Sequence, residues 1–202
     1  MAEPTSGHYF DARPGARSAP RDVDLTLPDV SARLTTDRGV FATDGIDPGT
    51  KLLLLEAPVP PGLRTMLDLG CGYGPIAIAL ALRAPDSAVW AVDPNERARA
   101  LCEANAVRAG VGERVHVCAP EAVDATVSFD AIYSNPPIRI GKAALHELLQ
   151  HWLARLSPRG VAYLVVQKHL GADSLARWLT DEGWRVTRLV SRRAYRVLEV
   201  AR

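Results

Sequence analysis

"RTMLDLGCGYGPIAIALALR", residues 64–83, changes pattern halfway. RTMLDLG is a short apolar run of strand length. Gly74-Pro75 then opens IAIALALR, which reads as a helix that stops near Pro85. Proline suits the first helical position, where its missing N–H costs nothing. A buried strand, a glycine turn and a helix in series are one unit of an alternating α/β chain.

The unit recurs downstream. AVWAVD (88–93) reads as a strand, and ERARALCEANAVRAG (96–110) as a helix with Ala98, Leu101, Cys102 and Asn105 on one stripe. RVHVCA (114–119) and FDAIYSN (129–135) are further strands. Leu145, Leu148, Leu149, Trp152, Leu153 and Leu156 keep helical spacing, which predicts a helix from Lys142 to Leu156 that Ser157-Pro158-Arg159-Gly160 breaks. VAYLVVQ (161–167) is a strand, and a helix over 173–182 ends at Gly183. WRVTRLV (184–190) and YRVLEVA (195–201) follow each other closely and predict an antiparallel pair. Upstream, FATDGIDPGTKLLLLEAPVPPG (41–62) reads as a strand, a turn and a short helix with Asp47 as N-cap.

Strands alternating with helices predict an α/β fold with a mainly parallel sheet, covered on both faces. Ligands of such sheets bind at the carboxyl ends of the strands. Asp68 with its glycines, Asp93, Pro120-Glu121 and Asn135-Pro136-Pro137 all fall there.

The chain has 202 residues, which suits one domain. Residues 1–22, rich in Pro, Gly, Ala, Ser and Arg, predict a flexible segment, and 23–202 the single domain. A net charge of +1 announces no global field for nucleic acid. The last 18 residues, however, carry Arg185, Arg188, Arg192, Arg193, Arg196 and Arg202 against Glu199 alone. The 3 cysteines, Cys71, Cys102 and Cys118, form no CxxC, and no histidine is spaced to join them. Reduced thiols, a cytoplasmic location and no metal are expected. No signal pattern and no apolar run of spanning length is present.

Gly70, Gly72 and Gly74 stand at alternate positions, unlike the GxGxxG of dinucleotide sites, and Asp68 precedes them. A carboxylate fits poorly beside a pyrophosphate and well beside a cation. S-adenosylmethionine offers an ammonium and a sulfonium and carries no phosphate. The turn residues Leu69, Gly70, Cys71, Gly72 and Gly74 are candidates to border it. Asp93, followed by Pro94, is placed to accept the ribose hydroxyls. Glu121 or the Ala119 backbone is a candidate for the adenine edge.

Asn135-Pro136-Pro137 suits methyl transfer to an amine whose lone pair is delocalised. The Asn135 side-chain oxygen accepts one N–H, and the Pro136 carbonyl, stiffened by Pro137, accepts the other. Two fixed acceptors turn the lone pair toward the methyl group, a preorganised polar site.

GVFATDGIDPGTKLLL, LDLGCGYGPIAIALA, AVDPNERA and SNPPIRIGK together resemble the small-domain methyltransferases typified by bacterial ribosomal small-subunit guanine-N2 methyltransferases. The resemblance implies a seven-stranded Rossmann-like sheet with an antiparallel last strand, S-adenosylmethionine as cofactor, and guanine N2 of 16S ribosomal RNA, free or in the small subunit, as acceptor. It assigns Asp68, Gly70 and Gly72 to the cofactor loop and Asp93 to the ribose. Asn135, Pro136, Pro137 and Ile138 become the catalytic tetrapeptide, while Phe41 and Thr50 close over the methionine end. Two departures stand out. The fourth tetrapeptide position is often aromatic in amine methyltransferases and here is Ile138, with Arg139 beside it able to stack instead. The better-known ribosomal enzymes also carry a duplicated N-terminal domain, so this chain is expected to grip RNA alone or with a partner. Lys142 and the basic hairpin are the expected phosphate contacts; no DNA and no membrane partner is expected. The alternatives are a small-molecule or protein-glutamine acceptor, or a cofactor-binding partner without catalysis.

Overall fold

The computed structural model describes residues 17–202, so residues 1–16 of the expected flexible segment lie outside the described residues. A hairpin of β1 (Arg21–Thr26) and β2 (Ser31–Thr36) comes first, where no strands were expected. Its short strands alternate only partly. It owes its place to Asn105, whose buried side chain accepts from Thr35 N at 2.7 Å and donates to the Thr35 and Tyr73 carbonyls at 2.8 and 2.9 Å. β1 starts two residues before the expected domain boundary, and Asp37 already holds Ser18 and Ala19.

The strand expected near Phe41 is absent; residues 37–47 are turns and bends, held by Asn95, which donates to the Gly39 carbonyl at 2.8 Å. α1 (Pro48–Glu56) then starts as predicted. Asp47 Oδ1 accepts from Gly49 N and Thr50 N at 2.9 and 3.0 Å, closing the first turn.

β3 (Thr65–Leu69), α2 (Pro75–Arg83), β4 (Ala88–Val92), α3 (Glu96–Arg108), β5 (Val115–Cys118) and β6 (Phe129–Ser134) follow the predicted alternation. α4 (Lys142–Leu153) is shorter than expected. Leu156 already opens β7 (Leu156–Gln167), pairing with Phe129, and Ser157–Gly160 form an irregularity within that strand. The pairing demands glycine at 160, where a Cβ would stand 2.8 Å from the Phe129 carbonyl oxygen. α5 (Ala172–Asp181), β8 (Arg185–Arg192) and β9 (Tyr195–Ala201) complete the chain as described.

The large sheet has 7 strands in the order β5-β4-β3-β6-β7-β9-β8. β9, the last in sequence, runs antiparallel between β7 and β8. The Rossmann-like architecture implied by the resemblance is therefore present. One core lies between the sheet and the first three helices, with Leu53, Met66 and Ile78 fully buried; the other lies under α4 and α5, around Leu67, Trp152 and Leu179.

Candidate active site

Strand order reverses between β3 and β6, and parallel sheets leave a crevice at that switch point. A cavity of about 600 Å³ opens there. The turn after β3 forms its floor. The Gly70 and Cys71 amides donate to the Val92 carbonyl at 2.8 and 3.0 Å, and Gly72 N donates to Asp93 Oδ2 at 2.9 Å. Gly70 and Gly72 have φ of 78° and 54°, and a Cβ on either would meet no atom within 4 Å. The turn presents bare backbone to the cavity.

Asp68 stands behind this turn, fully buried. Its Oδ2 accepts from Ala77 N at 2.9 Å, and its Oδ1 has no partner among the described residues. Pro75 lacks an amide hydrogen and that of Ala77 is engaged by Asp68, so α2 offers little of the free N-terminal amide set that holds a pyrophosphate. Asp93 lines the cavity, each oxygen accepting one amide, Gly72 N and Asn95 N, with lone pairs to spare. An orphaned buried carboxylate oxygen, a bare glycine turn and a second acid on the wall fit a cationic nucleoside such as S-adenosylmethionine.

Burial pushes the Asp68 pKa up from 3.8 to about 8, with Ala77 N pulling it down and Asp93 adding to the rise. The protonated acid is thus favoured in the folded state. Stability from this group is fully present below pH 3.8 and is lost as pH rises toward 8. Urea melts of the unliganded protein should show stability falling between about pH 5 and 8, by up to ~1.4 kcal/mol per pH unit from this group. Asp68→Asn should flatten that slope; an unchanged slope would assign it elsewhere.

Asn135 follows β6 on the opposite side of the switch point. Its Nδ2 donates to Asp47 Oδ1 at 2.8 Å and to Thr50 Oγ1 at 3.0 Å. A carboxylate only accepts, so the NH₂ must face Asp47. Both amide hydrogens are then engaged, while among the described residues nothing donates to Asn135 Oδ1. The cap of α1 therefore also sets the direction of the Asn135 carbonyl. Pro137, at φ −75° and ψ 73°, is the centre of an inverse γ-turn closed by Ile138 N donating to the Pro136 carbonyl at 2.9 Å. That bond takes one lone pair of the Pro136 oxygen and leaves the other.

The methyltransferase small domain family matches residues 31–199. The chain belongs to that family. It is 31% identical to the uncharacterized protein YbxB of Bacillus subtilis (strain 168), over 96% of this chain and 98% of that protein. It is 33% identical to the ribosomal RNA small subunit methyltransferase C of Shewanella loihica, over 78% of this chain and 47% of that protein. Among solved structures it matches the T. thermophilus 16S rRNA N2 G1207 methyltransferase (RsmC) in complex with AdoMet and guanosine, with a TM-score of 0.77 and 25% identity, over 94% of this chain and 52% of that one. The chain thus spans nearly the full length of the Bacillus relative and about half of the other two. It is an S-adenosylmethionine-dependent methyltransferase.

In this small-domain methyltransferase the cavity gathers Phe41, Leu69, Gly70, Gly72, Asp93 and Pro94 with Asn135, Pro136, Pro137, Ile138 and Arg139. Other expected site residues stand elsewhere. Gly74 faces α3, where a Cβ would lie 2.7 Å from Cys102 Sγ. Cys71 is buried beside Cys102, which with burial pushes its thiol pKa up. Thr50 is buried with its hydroxyl on Asn135, so it supports the Asn135 amide and does not line the cavity. Pro120 reaches the wall, whereas Ala119 does not and Glu121 points to solvent on the short turn Pro120–Ala122. Lys142 stands exposed at the start of α4, outside the main cavity.

The basic run is partly neutralised. Arg188 and Arg196 pair with Asp173, and Arg192 with Glu56 at 2.8 Å. Arg202 lies over the Trp184 ring. Sequence reasoning also missed Gln167 and Tyr195 in the cavity wall, which no motif marks, and gave Asp47 only its capping role. No group of three His, Cys, Asp or Glu side chains among the described residues could hold a metal, and no described helix is long and apolar enough to cross a membrane.

Proposed function

We propose that the chain methylates the N2 amine of a guanine in small-subunit ribosomal RNA. The observation that carries this is Asn135 Oδ1, fixed by Asp47 and Thr50 and left without a donor among the described residues, on the cavity that the glycine turn also lines. Gly70, Gly72 and Asp93 would hold the cofactor's backbone-facing and ribose parts, while Asp68, fully buried behind the turn and outside the cavity lining, would brace that turn through the Ala77 amide. S-adenosylmethionine supplies, when bound, a methyl group on a positively charged sulfur. Asn135 and the Pro136 carbonyl would each accept one hydrogen of the amine and hold its lone pair out of the base plane. Such fixed acceptors cost no rearrangement at the moment of reaction.

A paired guanine cannot reach this rim, so the base must be turned out of its stack. Ile138 offers it only an apolar edge. Arg185, Arg193 and Lys142, exposed and without acid partners among the described residues, are the cations left for phosphates, and binding should weaken as salt rises. The names of the Shewanella and T. thermophilus relatives, which specify small-subunit RNA and guanine N2, support the choice of acceptor.

The test is incubation with tritiated S-adenosylmethionine and, separately, small ribosomal subunits, naked ribosomal RNA and cell lysate, followed by nucleoside digestion. Label in N2-methylguanosine from small-subunit RNA is the expected result. Label on another base, or only in protein or small molecules, would overturn the reading.

A further inference from the structure

The cavity wall beyond Asn135 is built by Gln167 and Tyr195, which the chemistry above leaves unused. They are cross-strand partners, one closing β7 and the other opening β9. Gln167 Nε2 donates to the Tyr195 hydroxyl oxygen at 3.0 Å. This bond sets the polarity of the pair. The Gln167 carbonyl is left as an acceptor with no donor among the described residues. The Tyr195 oxygen accepts, so its own proton points onward as a donor.

The pair stands close to the catalytic amide. A Cβ on Gly49 would lie 2.7 Å from Tyr195 Cε1 and 2.9 Å from Asp47 Oδ1. The tyrosine ring and the carboxylate that holds Asn135 are thus separated by the space of one absent methyl group. Strand order β6-β7-β9 then arranges the rim. After β6 come the two acceptors at Asn135 and Pro136, at the end of β7 the Gln167 acceptor, and at the start of β9 the Tyr195 donor.

We propose that Gln167 and Tyr195 are the pair that selects guanine: Gln167 Oε1 accepts the ring N1–H, and the Tyr195 hydroxyl donates to O6. This rests on the guanine reading above and deepens it. The guanine edge presents the N2 amine, then N1–H, then the O6 carbonyl, which matches acceptor, acceptor, donor along the rim. Adenine and cytosine place a bare ring nitrogen next to their amines. That lone pair would face the Gln167 carbonyl, and a site built to hydrogen-bond one edge rejects an analogue that leaves its polar groups unpaired. Ring stacking alone would not discriminate in this way.

The test uses protein saturated with S-adenosylhomocysteine and compares guanosine, adenosine and 2-aminopurine riboside by competition titration monitored by NMR. The last keeps the amine but has neither N1–H nor O6. Wild type should prefer guanosine over both by at least about tenfold. Gln167→Met and Tyr195→Phe should each remove most of that preference, with S-adenosylhomocysteine affinity unchanged as the sign of an intact fold. Equal binding of guanosine and 2-aminopurine riboside by wild type, or full preference retained in both variants, would overturn the pair's role and leave guanine as acceptor. Label on a base other than guanine in the RNA experiment overturns the guanine reading itself, whatever the variants do.

Discussion

Asn135→Ala should lower the methylation rate by about three orders of magnitude while leaving S-adenosylmethionine affinity nearly intact. The size follows from losing a fixed polar group aimed at the reacting nitrogen. The sparing of affinity follows from position, because Asn135 sits across the switch point from the glycine turn. Asn135→Asp is the sharper variant. It keeps an oxygen at the rim but replaces the NH₂ with a second carboxylate oxygen, placed where 2.8 Å now separates Nδ2 from Asp47 Oδ1. Two carboxylates that close repel when both are ionised and raise the second pKa of the pair, so the variant should be nearly inactive above that pKa, where the pair is forced apart, and recover partly as pH falls and the pair comes to share one proton. Single-turnover rates at saturating cofactor, measured across pH, would show this. Near-normal turnover in Asn135→Ala would remove the residue from the mechanism.

Asp93→Ala should act on the other half of the site, weakening S-adenosylmethionine binding by roughly a hundredfold. The carboxylate has two tasks. It ties the Gly72 amide to the end of β4, and its remaining lone pairs are the acceptors proposed for the ribose hydroxyls. Asp93→Asn separates them in part: one oxygen remains as an acceptor, so only one of the Gly72 and Asn95 amides keeps its partner. A smaller loss in Asp93→Asn than in Asp93→Ala, read by calorimetry, is the expected pattern. Unchanged affinity in Asp93→Ala would count against the ribose role.

The alternation of strand, turn and helix was legible in the sequence because each element is long enough to show its period. The glycine turn was legible because glycine at 70 and 72 has a backbone meaning that no neighbour alters. What the sequence hid was decided by contacts distant along the chain. The β1–β2 hairpin is placed by Asn105, some 70 positions away from its Thr35 partner. The apolar period of α4 continues into Leu156, yet pairing with Phe129 pulls that residue into a strand. Thr50 was expected near the cofactor's methionine end and instead braces Asn135. Asp47 showed its cap but not its hold on a side chain 88 positions later. Gln167 and Tyr195 carry no motif, since their partnership exists only across the β7–β9 ladder.

The placement of β9 constrains the order in which this molecule can assemble. β8 touches the sheet only through β9, so it cannot dock before the strand that comes after it. Whether residues 185–201 arrive as a zipped hairpin or β9 docks first and β8 joins it afterwards, the edge of β7 is covered only when β9 is laid against it. Until that event the β7 edge from Val161 to Gln167, with Ala162 to Val166 buried in the finished fold, is unprotected, an invitation to pair with another chain. The same event carries Tyr195 to its seat above Gly49. A half-assembled molecule can already shape its glycine turn, but the far wall of the cavity arrives only when the last ladder closes.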